Sequence, residues 1–329
     1  MGASTVRPFS SGKNRALIIG ATGFVGRHLA SELNQNGYCV SVLSRGSYIS
    51  EFPGVNDESQ WLTGELPDTG KVLETCRSFE VVFHLANVAH VAESDRDLLS
   101  RVNVEGTKSV CRACSDAGVS RLVYFSSSLA GNPSTSFYAA SKSAAEAAVL
   151  AAGRESGSEL HVTVLRPVNI YGPGMKGNLA GLVKRIVLGR MPPLPKLENR
   201  IALISVKDVC RIAIAAAEGQ QASGAVYTLT DGEYYTPKRI EAAIYKALGR
   251  EQHKWTTPRM IFFLAALVVQ IGSYLRIVNS DLGLRTYRNL LKDQPAGESA
   301  FASALSIAPS LTFESELPEI LKSLEKIIK

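Results

Sequence analysis

Short, nearly continuous apolar runs alternate with helical patterns through the first half of the chain. Arg15 to Ile19 (RALII), Tyr38 to Leu43 (YCVSVL), Val81 to Leu85 (VVFHL), Arg121 to Phe125 (RLVYF) and His161 to Leu165 (HVTVL) read as strands. Amphipathic stretches separate them, among them one ending at Asn34 and another over Val102 to Ala117. A strand with little polar alternation is buried on both faces, which a sheet achieves when its strands run parallel under two layers of helices. The pattern predicts an α/β fold, a doubly wound parallel sheet. After Pro167 the texture changes: Gly172 to Gly177 (GPGMKG) is a loop, and Pro192, Pro193 and Pro195 break the chain again. The reading places a disordered tail at 1–13 and the sheet domain at 14–172 plus about 201–230. A smaller, mostly helical substrate lobe takes 173–200 plus 231–329.

Met260 to Gly272 (MIFFLAALVVQIG), flanked by Arg259 and Arg276, is the most apolar run. It falls short of the roughly 20 residues a bilayer span requires. The expectation is a buried or lobe-interface helix with no transmembrane span, and peripheral membrane contact is the alternative.

Composition narrows the classes. In 329 residues, 36 Lys plus Arg against 30 Asp plus Glu leave a net charge of +6, with 45% apolar and 20% charged residues. That is a folded globular composition, not a disordered or collagen-like one. The basic residues are scattered, with no zinc-finger spacing or basic helix, so nucleic acid is not an expected partner. Five cysteines are an odd, sparse set and suggest a reducing compartment, so the expected location is the cytoplasm. Cys111 and Cys114 form a C-x-x-C inside a helical pattern with no second pair and no histidine cluster, and read as small apolar helix residues. No metal site is expected. Met1 to Arg15 carries Ser4, Thr5, Ser10 and Ser11 without the apolar run of a secretory signal.

Gly20-Ala-Thr22-Gly23-Phe24-Val25-Gly26 lies between the first strand and the first helix. Glycines there let the chain turn sharply and let a pyrophosphate approach backbone N–H groups at a helix N-terminus, so the sheet is expected to be Rossmann-type. The residue after the second strand selects the dinucleotide. A carboxylate would bond a ribose 2′-hydroxyl, but the chain reads Leu43-Ser44-Arg45-Gly46, with no acid before Glu51. A guanidinium pairs with phosphate oxygens, so Arg45 points to NADP(H) over NAD(H).

Tyr138-Ala-Ala-Ser141-Lys142 sets a phenol and an ammonium on one helix face. A nearby Lys⁺ would lower the phenol's pKa and fit Tyr138 for proton transfer. Ser126-Ser127-Ser128, just past the Arg121–Phe125 strand, supplies a hydroxyl for the reacting oxygen.

These motifs resemble the extended short-chain dehydrogenase/reductases, in the nucleotide-sugar epimerase/dehydratase group, over Arg15 to at least Thr236. Further similarity lies in Gly64-Glu65-Leu66-Pro67-Asp68, His84-Leu85-Ala86, Asn103-Val-Glu-Gly106-Thr107 and Arg166-Pro167-Val-Asn169-Ile-Tyr171-Gly172-Pro173. The resemblance implies that Ser128, with Ser127 as the fallback, Tyr138 and Lys142 are catalytic. It implies that Gly20, Thr22, Gly23, Phe24, Val25, Gly26, Arg45, Glu65, Leu66, Leu85, Ala86, Asn103, Tyr138 and Lys142 hold the cofactor. Glu65 stands where the family more often has Asp. It further implies that Ser127, Ser128, Asn169, Asn178, Leu179 and Arg200 meet the substrate, and that two helices around Asn103–Ala117 and Tyr138–Gly153 form a homodimer contact.

Cofactor use separates the chemistries: an epimerase recycles tightly bound NAD, whereas a reductase consumes NADPH. Arg45, together with Val226-Tyr-Thr-Leu-Thr-Asp-Gly-Glu233, resembles the bacterial UDP-4-keto-6-deoxy-sugar 4-reductases. The expected activity is therefore NADP-dependent reduction of the 4-keto group of a UDP-sugar, with Tyr138 as proton donor. A UDP-sugar 4-epimerase and a reductase of hydrophobic ketones, of dihydroflavonol or steroid type, are the alternatives.

Overall fold

The structure is a computed structural model that describes residues 14–46, 52–55, 59–89, 95–155, 159–219, 224–274, 291, 293 and 301–328. The tail expected at 1–13, Glu51 and Arg276 lie outside them. In chain order the strands are β1 (Arg15–Ile19), β2 (Cys39–Ser44), β3 (Trp61–Thr63), β4 (Val81–His84), β5 (Arg121–Phe125), β6 (His161–Pro167), β7 (Asn169–Tyr171), β8 (Ile201–Ser205), β9 (Ala225–Leu229) and β10 (Tyr234–Tyr235). The helices used below are α1 (Phe24–Gln35), α2 (Thr69–Cys76), α3 (Arg96–Leu99), α4 (Gly106–Ala117), α5 (Phe137–Ala152), α6 (Asn178–Val187), α7 (Val206–Glu218), α8 (Pro237–Ala247) and α9 (Arg259–Tyr274).

The chain divides into two compact units: Met1–Val168, Val206–Leu229 and Glu298–Ala308 in one, Asn169–Ser205, Thr230–Gly297 and Pro309–Lys329 in the other. The first holds a seven-stranded sheet in the order β3-β2-β1-β4-β5-β6-β9, every pair parallel. This is the Rossmann-like doubly wound fold. Its central strands carry almost no exposed surface, as Leu17, Ile18, Val40, Val42, Val82, Phe83 and Leu122 illustrate. One face packs on Val72, Val110, Cys111, Cys114, Ala145 and Val149. On the α1 side, α1 packs against α7. All five cysteines are buried. Burial pushes the Cys111 thiol up to about 12, and a hydrogen bond with Cys76 together with burial raises Cys114, so both are core-forming thiols as the sequence suggested.

The sheet grows outward from β1 through β2 to β3, then restarts on the other side of β1 with β4. Ligands of such sheets bind at that switch point, beyond the carboxyl ends of the strands. Here Leu85 N and Ala86 N both donate to Ile19 O at 2.8 Å, drawing the end of β4 onto the end of β1. Gly20, at φ +97°, sits in that contact, where a Cβ would lie 2.5 Å from Ala86 N.

Two elements depart from the sequence expectation. The helix read over Val102–Ala117 is α4 preceded by a wide, π-type turn at Ser100–Glu105, which brings Asn103 into the interior. The segment 201–230 is divided: β9 joins the large sheet, but β8 pairs with β7 and, antiparallel, with β10 in a three-stranded sheet of the second unit. Both segments are apolar, and which sheet an apolar strand joins is set by its partners rather than its own residues.

In the second unit, Tyr235 Oη donates to Asp231 Oδ2 at 2.8 Å and accepts from Phe313 N at 3.1 Å, and Tyr171 Oη donates to Leu311 O at 2.9 Å. Burial pushes the Asp231 carboxyl up to about 6. The Met260–Gly272 run forms most of α9, and the expectation that it is buried is corrected. Ala266 is buried, but Met260, Ile261, Leu264, Val268 and Ile271 are exposed.

Gly20→Ala forces a Cβ into backbone at a positive φ, whereas a Cβ on Gly23 would meet only Gly20 O, at 3.4 Å. Thermal and urea unfolding should therefore show Gly20→Ala destabilised by more than about 2 kcal/mol. Gly23→Ala should change by no more than about 1 kcal/mol. Equal losses would mean that the turn is not packed as described.

Candidate active site

The turn between β1 and α1 presents an open helix N-terminus. Gly23 caps α1 without a side-chain hydrogen bond, and the first turn holds no acidic residue. The first N–H groups therefore carry the positive end of the helix dipole uncompensated by a side chain. Thr22 and Gly23 are exposed, and Gly26 is packed so closely that a Cβ would lie 2.6 Å from Ala21 Cα and Gly20 O. A tight turn with open space at its crest fits the pyrophosphate of a dinucleotide. Phe24 and Val25 are half-buried behind it, and Leu85 and Ala86 run beside Gly20.

Arg45 is exposed one residue beyond β2, and no carboxylate occupies 44–46. Gly46 N donates to Ser44 Oγ at 3.2 Å and Gly46 O accepts from Trp61 Nε1 at 3.1 Å, which shapes the turn around Arg45. Glu65 is exposed, and Leu66 is buried against Gly106. Arg27, by contrast, is engaged locally: its Nε donates to Thr22 O at 3.3 Å, and its guanidinium lies 5.2 Å from the Phe52 ring centre.

The catalytic side is built by the end of β5 and the start of α5. Ser136 caps α5 by accepting from Ala139 N at 3.1 Å, which sets Tyr138 in the first turn, half-buried, with Lys142 fully buried one turn on. Ser127 accepts from Leu129 N at 3.3 Å and lies near enough to Tyr138 to lower its pKa in part. Ser128 begins the short turn Ser128–Gly131 and is half-exposed, while Ser126 is buried and its Oγ has no hydrogen-bond partner among the described residues. Ser127, the fallback in the sequence reading, keeps an extended backbone (φ −153°) immediately before that turn.

The electrostatics differ from the sequence expectation too. Burial raises the Tyr138 pKa above its usual 10, and Ser127 lowers it in part. Lys142 is itself deeply buried. Burial pulls Lys142 down to about 7, with Glu146 acting in the opposite direction. Its Nζ donates to Phe125 O at 2.7 Å and lies 4.6 Å from the Tyr124 ring centre. A lysine half-protonated at neutral pH is a weaker fixed charge than the spacing alone suggests.

Behind this pair lies a polar layer that the sequence reading did not resolve. Glu146 is buried and accepts from Arg166 Nε at 2.8 Å. Asn103 donates to Val88 O and Ser141 Oγ, each at 3.0 Å, and accepts from Val88 N at 2.8 Å, while Ser141 Oγ donates to Tyr138 O at 2.8 Å. Thr107 Oγ1 donates to Asn103 O at 2.7 Å and lies 3.0 Å from His84 Nε2. With its proton on Asn103 O, Thr107 accepts from Nε2–H. Burial and the nearby Lys142 hold His84 down at about 3. The available signals were a histidine closing an apolar strand and a glutamate four residues after Lys142 in an alanine-rich helix.

The remaining substrate candidates belong to the second unit. Asn169 donates to Ala202 O at 3.3 Å, and Asn178 opens α6 exposed, with Leu179 half-buried beside it. Arg200 is exposed; its N donates to Asp293 Oδ1 at 2.6 Å and its guanidinium lies 5.5 Å from the Tyr234 ring centre. Among the described residues no group of three or more His, Cys, Asp or Glu side chains could hold a metal ion.

The Gly-rich turn and the Tyr138–Lys142 helix now lie on one sheet, and the comparison with known proteins agrees with them. The chain belongs to the NAD dependent epimerase/dehydratase family. Residues 16–229, which span the first strand to the last of the large sheet, match it. Ceramide reductase of Caulobacter vibrioides is 31% identical over 276 residues, 83% of each chain. UDP-glucose 4-epimerase of Vibrio cholerae is 26% identical over 263 residues, covering 74% of this chain and 77% of that one. Among solved structures, MoeE5 in complex with UDP-glucose and NAD superposes with a TM-score of 0.73 at 21% identity, over 96% of this chain and 100% of that chain. The fold is therefore that of the extended short-chain dehydrogenases, and the open turn over Gly20–Gly26 fits their nicotinamide dinucleotide.

The buried lysine has a measurable signature. Its folded pKa, about 7, lies below the unfolded value near 10.5, so the unfolded chain holds more protons between those pH values. Stability should rise with pH through that window, by up to about 1.4 kcal/mol per pH unit from this one group. Below pH 7 its unfavourable contribution is fully present. The wild-type minus Lys142→Met difference in unfolding free energy should slope upward from pH 7 to 10 in the cofactor-free protein. A flat difference would mean that Lys142 titrates normally.

Proposed function

We propose that this chain is an NADP-dependent reductase of the 4-keto group of a UDP-linked 6-deoxy hexose. The observation that carries the reading is Tyr138 in the first turn of α5, held protonated by burial, with Ser127 beside it just past the carboxyl end of β5. Reduction of a carbonyl needs a proton at oxygen as hydride reaches carbon, and a phenol above its usual pKa is fully protonated at neutral pH. A nicotinamide dinucleotide bound with its pyrophosphate at the Gly20–Gly26 turn would supply the hydride. Ser127 would bond the carbonyl oxygen and orient it, Tyr138 would donate the proton, and Lys142 would hold the nicotinamide ribose. Ser128 follows Ser127 and Leu129 follows Ser128, so no acid sits beside either hydroxyl, which disfavours dehydration.

Arg45 favours a cofactor with a 2′-phosphate, which is consumed and released, and so favours net reduction over epimerisation. The sugar-nucleotide class is supported by the likeness to UDP-glucose 4-epimerase and by Asn169, Asn178, Leu179 and Arg200, which the family resemblance assigns to substrate. A second reading, a reductase of a hydrophobic ketone, has its own support in the 31% identity to a ceramide reductase.

Two experiments test the proposal. Protein denatured directly after purification should release little nicotinamide nucleotide, and the emptied protein should bind NADPH more tightly than NADH. Arg45→Ala should weaken NADPH by about tenfold and leave NADH unchanged. With NADPH, turnover of a UDP-4-keto-6-deoxy sugar should fall by about a hundredfold or more in Tyr138→Phe with cofactor affinity intact, and further in Ser127→Ala than in Ser128→Ala. Stoichiometric bound NAD with sugar interconversion and no added cofactor would replace the proposal by an epimerase. Turnover of a long-chain ketone alone would replace it by the lipid reading.

A further inference from the structure

Helix α9 presents an apolar stripe to its surroundings. Ile261, Leu264, Val268 and Ile271 follow the i, i+3, i+7, i+10 spacing of one helix face and are 56%, 51%, 68% and 50% exposed. Met260, at 72%, extends the stripe at its start. The opposite side is the covered one: Ala266 is buried and Phe262 and Val269 are half-buried. The helix start is pinned there, because Arg259 donates to Lys196 O at 3.2 and 3.0 Å and Thr257 Oγ1 donates to Pro193 O at 2.6 Å. A contiguous apolar surface of this kind on a fixed helix is costly in water unless something covers it.

The charge and aromatic pattern identifies what covers it. No Asp or Glu occurs from Gln252 to Ser280, whereas Lys254 and Arg259 precede the apolar run and Arg276 follows it. Trp255 and Tyr274 bracket the helix and are 57% and 86% exposed. Basic residues and amphipathic aromatic rings at both ends of an apolar helix are the composition of a segment lying at a bilayer interface, rings at the headgroup level and cations toward anionic lipid. At 16 residues the helix is about 24 Å long, less than the roughly 30 Å of a hydrocarbon core. Among the described residues no helix is long and apolar enough to cross a membrane. A second copy of the chain is a poorer cover. A two-fold contact through α9 would bring an acid-free, basic segment against itself.

We propose that α9 lies in the plane of an anionic membrane surface and seats the protein on it through Ile261, Leu264, Val268 and Ile271. The inference goes beyond the catalytic reading and stands whichever ketone the enzyme reduces.

The test uses the full chain and sedimentation with vesicles of phosphatidylcholine alone or mixed with phosphatidylglycerol. The wild type should partition onto the anionic vesicles at least roughly tenfold better than onto neutral ones, and less well as salt rises. I261Q/L264Q/V268Q should lose that binding by roughly tenfold or more while keeping its melting temperature and NADPH affinity. A second measurement needs no folded triple variant. Anionic vesicles with brominated acyl chains should quench wild-type tryptophan emission, and Trp255→Phe, which leaves Trp61, should abolish the quenching. No partition onto anionic vesicles, equal binding by the triple variant, or quenching that persists in Trp255→Phe would overturn the proposal. A wild-type dimer that the triple variant dissociates, with vesicle binding absent, would assign the face to a second copy instead.

Discussion

The close approach of two strand ends at Ile19 is the constraint on which the rest of the first unit depends. Two successive N–H groups, from Leu85 and Ala86, converge on Ile19 O. The backbone can come so near only because Gly20 has no side chain and adopts a positive φ. The sharp turn that follows starts α1 at Phe24 with Gly23 as an open cap, and Gly26 lets the helix lie against the turn itself. A phosphate-binding turn is thus the by-product of packing two parallel strands at a switch point. Sheet order and cofactor site are one structural fact.

The other organising feature is a column of buried polar groups beside β4 and β5. Removing an ammonium from water costs several kcal/mol, even after relaxation. Lys142 is tolerated because Phe125 O accepts from it, the Tyr124 ring faces it and the carboxylate of Glu146 lies nearby, itself paired with Arg166. The cost emerges as a pKa near 7 rather than as an unfolded protein. His84 stays neutral in the same layer. The π-type turn at Ser100–Glu105 places Asn103 where it can fix the Val88 backbone and Ser141, whose hydroxyl in turn holds the Tyr138 carbonyl. Tyr138 is therefore oriented through three elements, though only its own helix carries its motif.

The second unit shows the same economy with different materials. Its small sheet is anchored by Tyr171, Tyr235 and Asp231, whose hydrogen bonds satisfy the polar tips of large buried side chains. Against that well-satisfied interior, the bare stripe of α9 stands apart. The residues of α9 match one another in apolarity, yet Ile261, Leu264, Val268 and Ile271 stay exposed.

What the sequence determined by itself was whatever local spacing encodes. Unbroken apolar runs placed the five strands from Arg15 to Leu165 to within a few residues, because two-sided burial writes itself into each strand separately. The Gly20–Gly26 turn and the Tyr138–Lys142 spacing were legible for the same reason, each being a requirement within one turn of backbone. Tertiary structure alone decided the rest. That Asn103 and Ser141 hold the Tyr138 backbone depends on a π-type turn that no local spacing announces. That Lys142 loses its charge readily, and that His84 and Glu146 matter to it, depends on burial among residues distant in sequence. Ile201–Ser205 joined the smaller sheet because partner strands, not propensity, assign an apolar segment its place. The apolarity of 260–272 announced a helix that avoids water, but only the tertiary structure showed that one of its faces is exposed.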